Sequence, residues 1–255
     1  MPTALVTGAT AGLGAEFARQ LAAEAYNLVL VARDTQRLDR IAAELTEQHG
    51  VDVEVISADL ISDDGCAVVA KRIEDREHPV DLLVNNAGFG MYKVFGSGPL
   101  EDEERQLDLN VRAVLRLSHS AVRAMTGRGS GRIVNISSVS AFVPRGSNAT
   151  YAASKAWVTM FSEALSVQLK GSGVTVTAIC PGFTRTEFHE RASADMSHVP
   201  ERMWLSAADV VREGLADAFA GKPVSVPTRQ YRRLVFLARV VPRPVLRRVM
   251  ARRNF

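Results

Sequence analysis

Tyr151 and Lys155 stand four residues apart in a stretch of helical spacing, residues 151–171, so both side chains leave one helix face. A free phenol has a pKa of ~10, too high to exchange protons easily near neutrality. A neighbouring ammonium favours the phenolate and lowers that value. The tyrosine can then act as general acid in one direction of a reaction and general base in the other. Ser138 follows an apolar strand-like run, residues 131–137, that should end near the same rim. Its hydroxyl can hold a substrate oxygen and turn it toward the tyrosine. The chemistry this set suits is proton transfer to and from an oxygen, as in the interconversion of a carbonyl and an alcohol.

A second group of residues could bind phosphate. Thr7-Gly8-Ala9-Thr10-Ala11-Gly12-Leu13-Gly14 follows the apolar run Ala4-Leu5-Val6 and opens a helical pattern. Glycines there allow positive φ and a close approach of backbone to a pyrophosphate. The helix start behind them offers free N–H groups and the positive end of a dipole. A strand–glycine turn–helix at the head of an alternating chain points to a dinucleotide. The end of the second strand reads Val31-Ala32-Arg33-Asp34. An acid in the slot that Ala32 occupies would accept from a ribose 2′-hydroxyl, whereas Arg33 suits a 2′-phosphate. NADP(H) is therefore the expected cofactor. Asp34, one position on, keeps NAD(H) as the lesser option.

These residues need a frame to bring them together. Strand patterns at residues 4–7, 28–31, 53–57, 80–84, 131–137, 174–179 and 223–226 alternate with helical patterns at 14–25, 35–50, 62–77, 100–125, 151–171 and 207–220. Alternation of this kind predicts an α/β fold, a Rossmann-like doubly wound parallel sheet covered on both faces. The acidic start of the fourth of those helices, Glu101-Asp102-Glu103-Glu104, reads as a solvated first turn that suits the dipole. Residues 183–205 have no clear period and read as a long loop with short helices, of the kind that often forms a lid.

Composition bounds the rest. The 255 residues, 47% of them hydrophobic, suit one large domain. Cys66 and Cys180 are too few and too far apart for a disulfide framework or a zinc site. The histidines, His49, His78, His119, His189 and His198, show no ligand spacing, so no metal is expected. Neither a secretory leader nor a membrane span is expected, and a cytoplasmic location follows as the default. The net charge of +3 hides an asymmetry: from Arg229 onward there are nine arginines and no lysine or acid, which leaves 22 basic and 28 acidic groups, or −6, in the rest. The basic character belongs to the tail, and a whole-surface nucleic-acid patch is not supported. The expected division is a catalytic domain over residues 1–228 and a basic, partly helical, amphipathic extension over 229–255.

In combination these motifs resemble the short-chain dehydrogenase/reductase family over nearly the whole of residues 3–226. The resemblance rests on the Thr7-to-Gly14 turn, Asp59, Asn85-Asn86-Ala87-Gly88, Asn110, Ser138, Tyr151-Ala152-Ala153-Ser154-Lys155, and Pro181-Gly182 with Thr186. It implies an NADP(H)-dependent oxidoreductase with Asn110, Ser138, Tyr151 and Lys155 as the catalytic set, and an acyl-chain or steroid-type branch. The cofactor would lie along Gly8, Thr10, Ala11, Gly12, Leu13, Gly14, Arg33, Asp59 and Leu60, then Asn86, Ala87 and Gly88, then Tyr151, Lys155, Pro181, Gly182, Thr184 and Thr186. Asp59 would meet the adenine amino group, and Asn86 to Gly88 the adenosine ribose. Asn110 would hold a proton-relaying water, Lys155 the nicotinamide ribose, and Thr184 and Thr186 the carboxamide. Family members usually pair through the helices at 100–125 and 151–171, implying a homodimer or homotetramer. One departure is Ala11, where many NADP-specific members carry a basic residue; phosphate binding would then rest on Arg33.

Phe89, Met91, Tyr92, Phe142, Val143, Pro144, Phe183 and the loop to Trp204 are candidate pocket residues, mostly apolar, so the expected substrate is a small apolar carbonyl compound or alcohol. In the tail, Val245, Leu246, Val249 and Met250 can share a helical face flanked by Arg247, Arg248, Arg252 and Arg253, with Pro242 and Pro244 breaking the segment in two. Such a helix could lie on an anionic membrane, on its own domain or on a partner subunit. The competing class is a catalytically silent NADP(H)-binding sensor or scaffold, which would be expected to lack one of Asn110, Ser138, Tyr151 or Lys155; all four are present.

Overall fold

The computed structural model describes residues 1–144, 147–192, 196–197 and 199–251. Its centre is a seven-stranded parallel sheet in the order β3-β2-β1-β4-β5-β6-β7. The strands are β1 (Thr3–Thr7), β2 (Asn27–Ala32), β3 (Val53–Ser57), β4 (Leu82–Asn85), β5 (Gly131–Ile136), β6 (Val174–Ile179) and β7 (Val224–Ser225). Helix α1 (Gly12–Ala23), α2 (Thr35–His49) and α8 (Ala207–Phe219) cover one face through Phe17, Leu21, Leu38, Leu45, Val211 and Leu215. The other face is covered by α3 (Asp63–Ile73), α5 (Val114–Arg128) and α6 (Ala149–Gln168), with Val69, Leu117, Ala121 and Met125 buried there. Two apolar faces explain why β1, β2 and β4 are runs of Val, Leu and Ala with no polar alternation.

The strand order reverses between β1 and β4, so the loops after these strands diverge and leave a crevice at their carboxyl ends. A polar ladder crosses the sheet beneath it. Asn85 Nδ2 donates to Asn135 Oδ1 (2.8 Å) and to Ser118 Oγ (3.1 Å), and Asn135 Nδ2 donates to Ser162 Oγ (2.9 Å). All four side chains are buried, and this ladder ties β4 and β5 to α5 and α6.

The expected long helix over 100–125 is two helices joined by a wider turn. Helix α4 (Leu100–Leu107) passes into a π-helical segment, Asp108–Ala113, before α5 continues. Asn110 sits in that widened turn. Such bulges occur often at functional sites because they re-aim one side chain, and residue spacing alone does not mark them. Residues 183–205 contain α7 (Phe188–Arg191), a 3₁₀ turn at Glu201–Met203, and a bridge from Thr184 to Leu205 that closes the loop at its base. The tail forms α9 (Arg229–Val240) and α10 (Arg243–Ala251), parted at Pro242. Arg252, Arg253 and His198 lie outside the described residues. Among the described residues no helix is long and apolar enough to cross a membrane, and no cluster of three or more His, Cys, Asp or Glu could hold a metal.

Candidate active site

One cavity of about 880 Å³ runs along the carboxyl ends of the strands. At its base the glycine turn is held by the segment that follows β4. Thr7 Oγ1 accepts from Asn86 N (2.9 Å) and Ala87 N (3.0 Å), while Asn86 Nδ2 donates to the carbonyls of Thr7 (2.9 Å) and Gly8 (3.2 Å). Gly8 and Gly12 have φ of +66° and +54°, which any side chain would strain. A Cβ on Gly14 would lie 2.1 Å from the Gly8 carbonyl oxygen, so this glycine is required by the packing of α1 on the turn. The N-terminus of α1 is capped by no side chain and has no acid in its first turn. Its orphan N–H groups and positive dipole end face the cavity lined by Gly12 and Leu13, which suits a pyrophosphate.

At the end of β2, Arg33 lines the cavity and is exposed. Asp34 is the N-cap of α2, its Oδ1 accepting from Arg37 N at 3.0 Å. That carboxylate is engaged in holding a helix start. Arg37, unnoticed in the sequence because it has no motif of its own, also lines the cavity. Its two terminal nitrogens reach the two carboxylate oxygens of Glu187 at 3.0 and 3.4 Å, a fork across the groove from α2 to the segment before α7. Thr186 lies over Gly12, within 3.0 Å of where a Cβ there would stand.

The other end holds the expected proton-transfer groups. Ser138, Tyr151 and Lys155 line the same cavity as the glycine turn. Lys155 is buried, its Nζ donates to the Ile136 carbonyl (2.8 Å), and it lies 5.6 Å from the Tyr151 ring centroid. Burial pushes the Lys155 amine down to about 8, with the Cys180 thiol opposing that shift. Ser138 Oγ accepts from Ser140 N (3.1 Å), which fixes its orientation. Ser137, not singled out from sequence, donates to the Lys155 carbonyl (2.8 Å) and secures α6 to β5. Asn148, with φ of +67°, forms the left-handed entry into α6 and also lines the cavity; asparagine tolerates that geometry better than most residues.

The structure places Gly8, Thr10, Ala11, Gly12, Leu13, Arg33, Asp59, Leu60, Asn86, Ala87, Gly88, Pro181, Gly182, Thr184 and Thr186 around this one cavity. Gly14 and Asn110 lie behind it. The Asn110 carboxamide brackets the main chain of Phe89, accepting from its N–H (3.1 Å) and donating to its carbonyl (2.9 Å). Of the expected pocket residues, Phe89, Tyr92 and Phe183 line the cavity, whereas Met91, Phe142, Val143 and Pro144 do not. Phe142 instead carries the Arg239 guanidinium on its ring face at 4.8 Å. Phe188 and His189 join the wall. Phe188 packs at 5.7 Å from the Tyr151 ring, and Trp204 reaches the site by packing at 5.9 Å from Phe183 and 5.2 Å from His189.

A doubly wound sheet with an uncapped, glycine-lined helix start at its switch point, and a serine, tyrosine and buried lysine along the same crevice, defines a dinucleotide-dependent oxidoreductase. Residues 2–197 match the family model for short chain dehydrogenases, and the chain belongs to that family. A ketoacyl reductase of Nostoc sp. is 30% identical over 231 residues, covering 89% of this chain and 78% of that protein. Among solved structures, a short-chain dehydrogenase from Sphingobium yanoikuyae in complex with NADPH superposes with a TM-score of 0.86 at 34% identity, over 94% of each chain. A bulky-bulky ketone specific alcohol dehydrogenase from Comamonas testosteroni gives 0.82 at 32% identity, over 94% of this chain and 92% of that one.

Proposed function

We propose that the protein is an NADP(H)-dependent oxidoreductase that interconverts a carbonyl and an alcohol on an apolar substrate, with Tyr151 as general acid and base. The observation that carries this reading is the single cavity shared by Ser138, Tyr151 and Lys155 with the glycine turn and Arg33. The reduced nicotinamide supplies a hydride when bound. Ser138, its Oγ already accepting from Ser140, orients the substrate oxygen with its own proton. Tyr151 gives that oxygen a proton in reduction and takes it back in oxidation. Lys155, held at the Ile136 carbonyl, presents its ammonium beside the phenol and favours the phenolate. Asn110 holds the turn after Gly88 and shares in the proton path to Lys155. Phe89, Phe183 and Phe188 exclude water and favour an apolar substrate.

NADP(H) is favoured over NAD(H) because Arg33 stands exposed on the cavity at the β2 end while Asp34 is committed to its helix cap. The NADPH-bound relative from Sphingobium yanoikuyae supports the same choice. Arg33→Ala should weaken NADPH by about tenfold to a hundredfold, the effect of losing a charge-assisted contact, and leave NADH nearly unchanged. Fluorescence titration with each nucleotide measures this, and equal losses for both would remove Arg33 from phosphate recognition. The activity itself is tested by screening ketones, aldehydes and alcohols with both cofactors at the nicotinamide absorbance. Binding of NADPH with no turnover across the panel would favour the silent sensor instead.

The catalytic body is residues 1–228 in this reading. It forms a cytoplasmic homodimer or homotetramer through α4–α5 and α6, where Leu107, Leu115, Met160 and Val167 are exposed. The extension over 229–255 makes the membrane contact. Leu246 is buried and Val245 and Val249 are exposed, so the apolar face expected of α10 is divided. The larger outward face is on α9, where Phe236, Leu237 and Val240 are exposed alongside Arg229 and Arg233, while Arg232 pairs with Glu213 at 3.4 Å. A symmetric pairing of two such faces would set arginine against arginine, whereas an anionic bilayer gains about 1 kcal/mol from each. Co-sedimentation with anionic vesicles should fall by about tenfold in Phe236→Ser/Leu237→Ser and in high salt, while neutral vesicles bind neither form. Equal pelleting of both forms would eliminate the membrane reading.

A further inference from the structure

The inner face of α9 reaches the site. Tyr231 is 2% exposed. Its hydroxyl accepts from Phe183 N–H at 3.1 Å and donates to the Met203 carbonyl at 2.8 Å. Its ring lies flat against Gly182, where a Cβ would fall 2.1 Å from two ring carbons. Leu205 and Val210 bury the ring further, and Val139 packs on the same cluster. Val139 N donates to the Pro181 carbonyl at 3.0 Å, which joins the strand end after Ser138 to the segment that Tyr231 holds. Further along α9, Arg239 covers Phe142 in the turn after Ser138.

We infer that Tyr231 is a positioning residue for the carbonyl side of the cavity, an inference that rests on the oxidoreductase reading above. Its single hydroxyl ties the two ends of the 183–205 loop together, at Phe183 and at Met203. Gly182 and Phe183 both line the cavity, so the phenol sets how far that wall stands from Ser138 and Tyr151. Packing alone would be served by the ring. The hydroxyl adds a constraint on one loop, and its removal leaves the Phe183 N–H without this acceptor while the ring keeps filling the core. The effect of losing it therefore falls on the wall of the pocket more than on the fold.

The test uses the full chain carrying Tyr231→Phe, with Leu234→Gln at an exposed position of α9 as the control. Hydrogen–deuterium exchange is followed over Gly182–Phe188, and kinetics are run with NADPH and the ketone of highest turnover in a panel led by cyclohexanone and benzil. The expected result is exchange about tenfold faster at the Phe183 amide, the release expected for one lost hydrogen bond. The KM for the ketone should rise about tenfold with kcat within about threefold and NADPH affinity within about twofold, the pattern of lost substrate positioning. Unchanged exchange overturns the inference, as does a lower Tm with KM unaltered, or an equal KM shift in Leu234→Gln. The exchange measurement needs no substrate, so a protein that reduces no ketone in the panel still answers the question, and the absence of turnover counts against the oxidoreductase reading alone.

Discussion

Tyr151→Phe should lower kcat by roughly 10²–10⁴, the range for losing a general acid–base group. The ring is 9% exposed and packs at 5.7 Å from Phe188, contacts that phenylalanine keeps. Affinity for NADPH, which the proposed function assigns to the glycine turn and Arg33 at the far end of the cavity, should move by no more than about twofold, well under the tenfold that 1.4 kcal/mol represents. Steady-state kinetics on the ketone of highest turnover, with a parallel fluorescence titration, separate the two effects. Turnover within about threefold of the parent would assign the proton to another group and sink the proposed mechanism.

Gly14→Ala should be nearly as damaging, by a different route. The new Cβ would stand 2.1 Å from the Gly8 carbonyl oxygen and 2.5 Å from Asn86 Nδ2. Neither can yield cheaply: one is backbone in the turn, and the other is bonded to the Thr7 and Gly8 carbonyls. Helix α1 must move outward, which spoils the turn and re-aims its N–H groups. Overpacking of this kind costs about 1–3 kcal/mol. In a domain of this size that lowers Tm by roughly 3–10 °C. NADPH affinity should fall by about a hundredfold, since the anion cradle itself is displaced. Gly127→Ala is the contrast. Gly127 lies in α5 with nothing within 4 Å of a new Cβ, so the change should stabilise the protein by about 0.5–1 kcal/mol. Thermal melts and nucleotide titrations of the two variants distinguish a packing requirement from a general intolerance of alanine. Tight NADPH binding by Gly14→Ala would mean that the turn adapts and that the cradle is not built as described.

Much of the frame was legible because it depends on local periodicity. Alternating apolar runs and helical patterns implied a parallel sheet, and the structure has one, with strands shifted from expectation by a residue or two at their ends. The glycine turn was legible because its constraint is local, two positive-φ positions and one close packing contact within eight residues. Tyr151 and Lys155 were legible because four residues of helix set their shared face. The bulge at Asp108–Ala113 was not: its sequence is compatible with an ordinary helix, and the wider turn is stabilised by what Asn110 meets at Phe89.

The residues that sequence reasoning missed are those whose roles come from partners far along the chain. Arg37 meets Glu187 across 150 residues, and Tyr231 meets Phe183 across 48. No spacing rule reaches over such distances, because the pairing depends on how β2, β6 and α9 are stacked in space. The same holds for Phe142, which looked like a pocket residue and is turned to Arg239. By itself, then, the sequence determined the fold class, the glycine turn ahead of α1 and the shared helix face of Tyr151 and Lys155, all of which arise from backbone geometry and short-range spacing. Only the tertiary structure decided which aromatic rings face the cavity, how Asp34 is occupied, and that the arginine-rich tail packs a buried tyrosine against the site. Those outcomes depend on long-range packing and on competition among partners for each side chain.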